Sequence, residues 1–261
     1  MRLIMEDRVM HIQLSRYSVP TAVVLLLLAA LLVISPGSAA AQSAASGSVG
    51  GRDQPRLRTI DELYLEGAIS VRALSAQLRS SDSEHQILAL AAIEDQLQTG
   101  LLAPDDEELF RALAVVLEEG VHHVAYSSST MPFNYHPTVR YRAAQVMGLV
   151  GTEDARKQLV YTVAIDPDPA VRAQALYSLG AIGQDPDGSV TRTIARMMRR
   201  EHVGDADPGA IYAALVAIER ISSNPANVVD SSAVSMVVTV ATGKPYNRLV
   251  RSKAMQVLAV L

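Results

Sequence analysis

Cysteine is absent from all 261 residues. That single absence removes disulfides, thiolate metal sites, cysteine nucleophiles and a lipid-modified cysteine anchor together. Stability must therefore come from an apolar core, and residues 42–261 are long enough to build one. The chemistry-bearing motifs are missing as well. There is no nucleophile elbow, no glycine-rich phosphate loop, no H-E-x-x-H and no calcium loop. The formal net charge is −4 and no basic stripe interleaved with aromatics occurs, which argues against nucleic acid as a partner. No stretch alternates apolar and polar residues as a half-buried strand does. The β-branched run Val234–Val240 is the nearest approach to one, but its place in the repeat order described next assigns it to a helix.

What is present is a repeat. The segment from His136 to Gly151 reads HPTVRYRAAQVMGLVG, and 32 residues later Asp168–Gly183 reads DPAVRAQALYSLGAIG. Pro137, Val139, Arg140, Ala143 and Gly148 fall on Pro169, Val171, Arg172, Ala175 and Gly180. Weaker copies begin at Ser83, Asp207 and Asn247. Measured at one motif position (85, 139, 171, 210, 250), the steps are 54, 32, 39 and 40 residues. Such periods belong to stacked helix pairs, none of which can bury its apolar face alone. Asp168 and Asp207 are N-cap candidates, each followed by a proline at the first helical position, where no donor is lost. Val171, Ala175, Leu176 and Leu179 form one apolar helix face, Ala175 and Gly180 admit a close neighbour, and Gly183 marks a stop.

The helices expected on this reading are 59–79, 84–98, 104–119, 136–150, 153–164, 168–182, 187–201, 207–222, 228–241 and 246–261. Thr59 and Glu62 form a capping box, and Pro104 followed by four acids is a favourable helix start.

The pattern D-P-x-V-R-x-x-A-x-x-x-L-G-x-I-G resembles the HEAT-like repeats of phycobilin-lyase-type proteins and of many bacterial scaffolds, most clearly over residues 136–183. The resemblance implies an all-α, right-handed α-solenoid of about five helix-pair repeats. It also implies that the repeat-equivalent arginines Arg140, Arg172 and Arg251 are structural, pairing with a neighbouring repeat's capping acid such as Asp168 or Asp207. Tyr141 and Tyr212 are likewise repeat-equivalent and read as packing residues. The metal-dependent hydroxylases built on such repeats carry His-Glu dyads at equivalent positions. Here only the reversed pairs Glu84-His85 and Glu201-His202 occur, and they are not equivalent. A bilin-lyase role rests on repeat resemblance alone, and fold does not carry function. Neither a cofactor nor a catalytic residue is expected, and the chain reads as a non-enzymatic, protein-binding scaffold; the alternatives are a self-associating structural envelope protein and an enzyme or small-ligand binder with its site at residues 121–137.

The two ends carry different messages. Arg2, Arg8 and Arg16 precede an apolar run from Val19 to Ile34, and Ala39-Ala40-Ala41 supplies small residues for cleavage. That order reads as a signal peptide over residues 1–41, hence export to the periplasm or beyond, with no membrane span after cleavage. The rival reading is an uncleaved anchor, for which 16 apolar residues fall short of the ~20 a spanning helix needs. Residues 42–58 read as a flexible leader and 59–261 as the repeat domain. The C-terminal run, with Val257, Leu258, Val260 and Leu261, either packs back on its predecessor or offers a face to a second copy.

The 54-residue step contains an insertion, residues 121–137, that brings together His122, His123, Tyr126, Met131, Phe133, Tyr135 and His136. Long loops on repeat scaffolds carry contacts, and exposed Tyr, Phe and Met are interface anchors, so Tyr126, Met131, Phe133, Tyr135, His122 and His123 are the expected partner-binding site, together with the concave solenoid face. The competing reading has Phe133 and Tyr135 plugging a gap between repeat blocks. The three histidines lack a carboxylate companion for a metal. Charge divides unevenly: residues 42–135 hold 6 basic and 14 acidic side chains, residues 136–261 hold 14 and 11. Arg192, Arg196, Arg199 and Arg200 fall on one expected helix.

Overall fold

The computed structural model describes residues 70–121, 135–203 and 207–261. All of them belong to the second of two compact units, Arg56–Leu261. The expected signal peptide, the leader, the Thr59–Glu62 capping box and residues 122–134 of the inserted loop lie outside the described residues. Among the described residues a helical run over 70–78 is followed by nine helices: α1 (Ser83–Gln98), α2 (Glu107–Glu118), α3 (Pro137–Val150), α4 (Glu153–Ile165), α5 (Pro169–Ile182), α6 (Ser189–Val203), α7 (Pro208–Ser222), α8 (Ser231–Thr242) and α9 (Arg248–Leu258). No strand occurs among the described residues. The β-branched run is indeed helical, because Ala233, Met236, Val237 and Val240 recur at helical spacing and are all buried within α8.

The helices form two layers. In one, α1, α3, α5, α7 and α9 pack each against the next; in the other, α2, α4, α6 and α8 do the same. Pairing across the layers, α3 with α4 and α8 with α9 for instance, closes the repeats into an α-solenoid. A single continuous core runs between the layers, from Val71 through Leu113, Met147, Leu176 and Ile218 to Val257.

Local chemistry sets the helix ends. Asp168 Oδ1 accepts the amides of Ala170 and Val171, and Asp207 Oδ1 accepts that of Ala210. Asn247 caps the amide of Val250 in the same way. Gly151 and Gly183 terminate α3 and α5 with φ of 63° and 64°, left-handed conformations that a side chain disfavours. The α2 start expected at Pro104 moves to Glu107, because the Asp106 carboxylate takes the amide of Leu109 and makes Asp106 the cap. A cap unforeseen from sequence is Asp185, which is wholly buried and accepts from the amides of Val190 and Thr191 and from the Thr191 hydroxyl.

Close approach within the first layer depends on small residues. A Cβ on Gly148 would meet the Ser178 side chain at 2.6 Å, and one on Gly180 would meet the Ala217 backbone at 3.0 Å. These two repeat-equivalent glycines let α3 reach α5 and α5 reach α7. Ser178 adds a hydrogen bond from its hydroxyl to the Ala144 carbonyl, 2.8 Å away on α3.

The repeat arginines do form a ladder, but with other acids than expected. Arg140 is 1% exposed and grips the equally buried Asp166 through both Nε (2.8 Å) and Nη2 (3.2 Å). Its Nη1 donates to the Glu119 carbonyl, and its guanidinium carbon lies 4.7 Å from the Tyr135 ring centre. Burial works against the Arg140 charge, yet Asp166 and Tyr135 more than compensate and raise its pKa above the ordinary arginine value. Arg172 donates to the carbonyls of Asp166 and Pro167 and pairs with Glu201, whose second oxygen accepts the Asp207 amide. Asp168 and Asp207 are thus occupied as caps, while the acids two residues before a cap (Asp166) and at a helix end (Glu201) receive the arginines. Arg251 stands exposed on α9, so it adds no buried rung.

Two expectations follow for stability. Removing one partner of a buried ion pair leaves the other uncompensated, so Asp166→Ala should cost about 3–5 kcal/mol in urea unfolding. Gly148→Ala should cost about 1–3 kcal/mol by overpacking, and adding Ser178→Gly should recover part of that loss.

Candidate functional site: a basic groove between α4 and α6

Outward-facing residues of α4 recur at helical spacing as Lys157, Val160, Tyr161 and Ala164. The neighbouring helix of the same layer presents Thr193, Arg196, Met197, Arg199, Arg200 and Val203. Between them lies a groove of about 880 Å³. Its floor is apolar, made by Val160, Ala164 and the buried Met197, with Tyr161 half-exposed at the wall. Its rim is cationic, and no carboxylate among the described residues lines it.

The four cations are not equally free. Lys157 shares the carboxylates of Glu153 and Asp154, each 3.5 Å away. Arg196 donates to the Thr193 hydroxyl and Arg200 to the Ala164 carbonyl at the end of α4. Those bonds orient the guanidinium groups without neutralising them. Arg196, Arg199 and Arg200 are exposed, and none pairs with a carboxylate among the described residues. Arg192, one turn earlier, is different, because its Nε donates to Asp230 Oδ2 at 2.8 Å. A second, polar cleft of about 470 Å³ adjoins the groove through Ala164 and Arg200 and contains the Arg172–Glu201 pair.

The residues expected from sequence to bind a partner are distributed otherwise. His122, His123, Tyr126, Met131 and Phe133 lie outside the described residues. Tyr135 is half-buried with its ring over Arg140. His136 sits at the α3 N-terminus and makes no side-chain cap bond. In the reversed pair Glu201-His202, Glu201 is held by Arg172, while the His202 ring stacks on Tyr246 and its Nδ1 lies 2.7 Å from the Tyr246 hydroxyl. Among the described residues no three His, Asp or Glu side chains converge as a metal set, and no helix is long and apolar enough to cross a membrane.

The arginines of α6 were legible as a cluster, but not as half of a groove. Their counterparts on α4 precede them by about one repeat, and nothing in the sequence of α4 marks Val160 or Tyr161 as exposed.

A two-layered stack of helix pairs with a solvent-facing groove defines the class of helical-repeat proteins. Residues 134–200, which span both walls of the groove up to Arg200, match the family model of HEAT repeats. No curated protein matches the chain. HEAT repeats commonly serve as protein-interaction scaffolds, because the stacked helices expose a continuous surface while each repeat contacts only its neighbours.

One electrostatic detail is testable by pH. Asp230, the α8 cap, accepts from the Ser232 hydroxyl and amide and from Arg192, which lowers its pKa to about 2. A depressed carboxylate stabilises the fold above its unfolded pKa and loses that contribution as pH falls toward 2. The melting temperature of the native chain should therefore fall more steeply between pH 4 and pH 2 than that of Asp230→Asn, whose cap does not titrate.

Proposed function

We propose that the chain is an exported, non-enzymatic scaffold that binds another protein through the layer formed by α2, α4, α6 and α8. The groove between α4 and α6 is the principal docking surface. The observation that carries this reading is the coincidence, in one concave place, of an apolar floor with three arginines that no described carboxylate neutralises. Arginine and tyrosine beside a desolvated apolar patch are the composition of interface hot spots. Export is the part of the proposal that rests on the N-terminal sequence alone. The inserted segment follows α2 in the sequence, and α2 packs on α4. Its His122, His123, Tyr126, Met131 and Phe133 are proposed to extend the contact beyond the groove.

Self-association is the second reading, favoured by the outer face of α9, where Leu249 and Met255 are about two-thirds exposed (67% and 61%). The two readings separate by site-directed photocrosslinking in the producing cell. A photoreactive phenylalanine analogue at Tyr161 should form an adduct with a different protein, whereas the same group at Tyr141, on the other layer, should not. Adducts only between copies of the chain, obtained at Met255 and absent at Tyr161, would replace the scaffold reading by self-assembly.

A further inference from the structure

We infer that the occupant of the α4–α6 groove is an acidic peptide segment carrying one large aliphatic or aromatic side chain between its carboxylates. This rests on the reading that the groove is the docking surface, and it names the chemistry the groove selects. Arg196 and Arg200 are one turn apart on the same face of α6, and Arg199 with Val203 forms the next row. Carboxylates spaced along an extended or helical peptide meet two or three of these guanidinium groups at once, with forked hydrogen bonds that lysine does not supply.

The orienting bonds matter here. Arg196 is tied to Thr193 at 3.2 Å and Arg200 to the Ala164 carbonyl at 2.9 Å, so both are positioned before a ligand arrives and lose less freedom on binding. Val160, Ala164 and Met197 floor the groove, and an apolar side chain laid there displaces water from a surface that offers few hydrogen bonds. Met197 is adaptable in shape, which suits an anchor of variable outline. Lys157, already shared by Glu153 and Asp154, stands at the rim as an auxiliary cation.

A flat anionic surface such as a lipid bilayer satisfies the arginines but leaves a recessed floor between two helices unfilled. Nucleic acid offers phosphate charge without the aliphatic anchor, and one tyrosine does not make a stacking platform. An acidic protein segment fits both halves of the groove. The specificity that results is joint: charge steers and orients, and the apolar side chain sets residence time.

The test uses the purified full chain and fluorescein-labelled short peptides of three designs, read by fluorescence anisotropy. One alternates Glu with a central Leu, one has that Leu replaced by Ser, and one has every Glu replaced by Lys. The acidic peptide with leucine should bind, the leucine-free version about tenfold more weakly, and the lysine version not at all. Affinity should fall as salt is raised toward and beyond physiological strength. The double variant Arg196→Glu/Arg199→Glu should lose binding by at least about tenfold with an unchanged thermal melt, whereas Lys157→Ala should lose less.

Equal affinity for acidic and basic peptides, or undiminished binding in the folded double variant, overturns the inference. So does binding to phosphatidylglycerol vesicles or to a single-stranded oligonucleotide with none to the acidic peptide. Sedimentation that shows dimers which the double variant dissociates and excess acidic peptide does not assigns the groove to a second copy and also overturns it. If crosslinking at Tyr161 captures a partner while the peptides show no charge preference, the inference fails and the scaffold reading stands. If neither gives a signal, both fail.

Discussion

The pair between Arg140 and Asp166 is the contact through which the repeats share their geometry. Arg140 belongs to α3, Asp166 to the turn between α4 and α5, and the Glu119 carbonyl that Arg140 also reaches belongs to the end of α2. Both charges are almost wholly buried, so neither has water as an alternative partner. A buried pair of this kind contributes little net stability compared with apolar side chains of similar volume. Its effect is on register. Only one placement of the α4–α5 turn against α3 satisfies the guanidinium fork, and every later repeat is built on that turn.

From Asp166 the constraint passes along the chain's turns. The Asp166 carbonyl accepts from Arg172, Arg172 holds Glu201, and Glu201 takes the amide of Asp207 at the start of α7. The groove lies directly beside this line, since Ala164 precedes Asp166 by two residues and Arg200 precedes Glu201 by one. The spacing of α4 from α6, and therefore the width of the groove, is held by this ladder. Side chains that belong to the ladder and side chains that line the groove thus alternate along the last turns of both helices.

Much of the architecture was legible because it is written in local code. Aspartate-proline caps, terminal glycines and apolar residues at helical spacing state where a helix begins, ends and turns its core face, and the helices α1 to α9 of the described residues appear within a few residues of expectation. Gly180 was legible as a place of close approach for the same reason. The arginine ladder was only half legible. Repeat equivalence marked Arg140 and Arg172 as structural, but the identity of their partners depends on which turn lies across the layer, and Asp168 and Asp207 were already committed to capping. Arg251, equivalent by position, is exposed.

The candidate site shows where sequence reasoning stops. Tyr135 looked like an interface anchor because aromatic residues in loops often are, yet its ring covers a buried guanidinium. Val160 and Tyr161 carry no mark in the sequence that sets them apart from other residues of an amphipathic helix, yet they form part of the floor and the wall of the groove. What the sequence by itself determined is the repeat unit, its helix limits and its buried faces, since each depends on residues no more than a few positions apart. What only the tertiary structure decided is which exposed faces meet. A groove is made by two helices about one repeat apart, and the free energy that sets their separation comes from layer packing and buried turns rather than from the residues that line it.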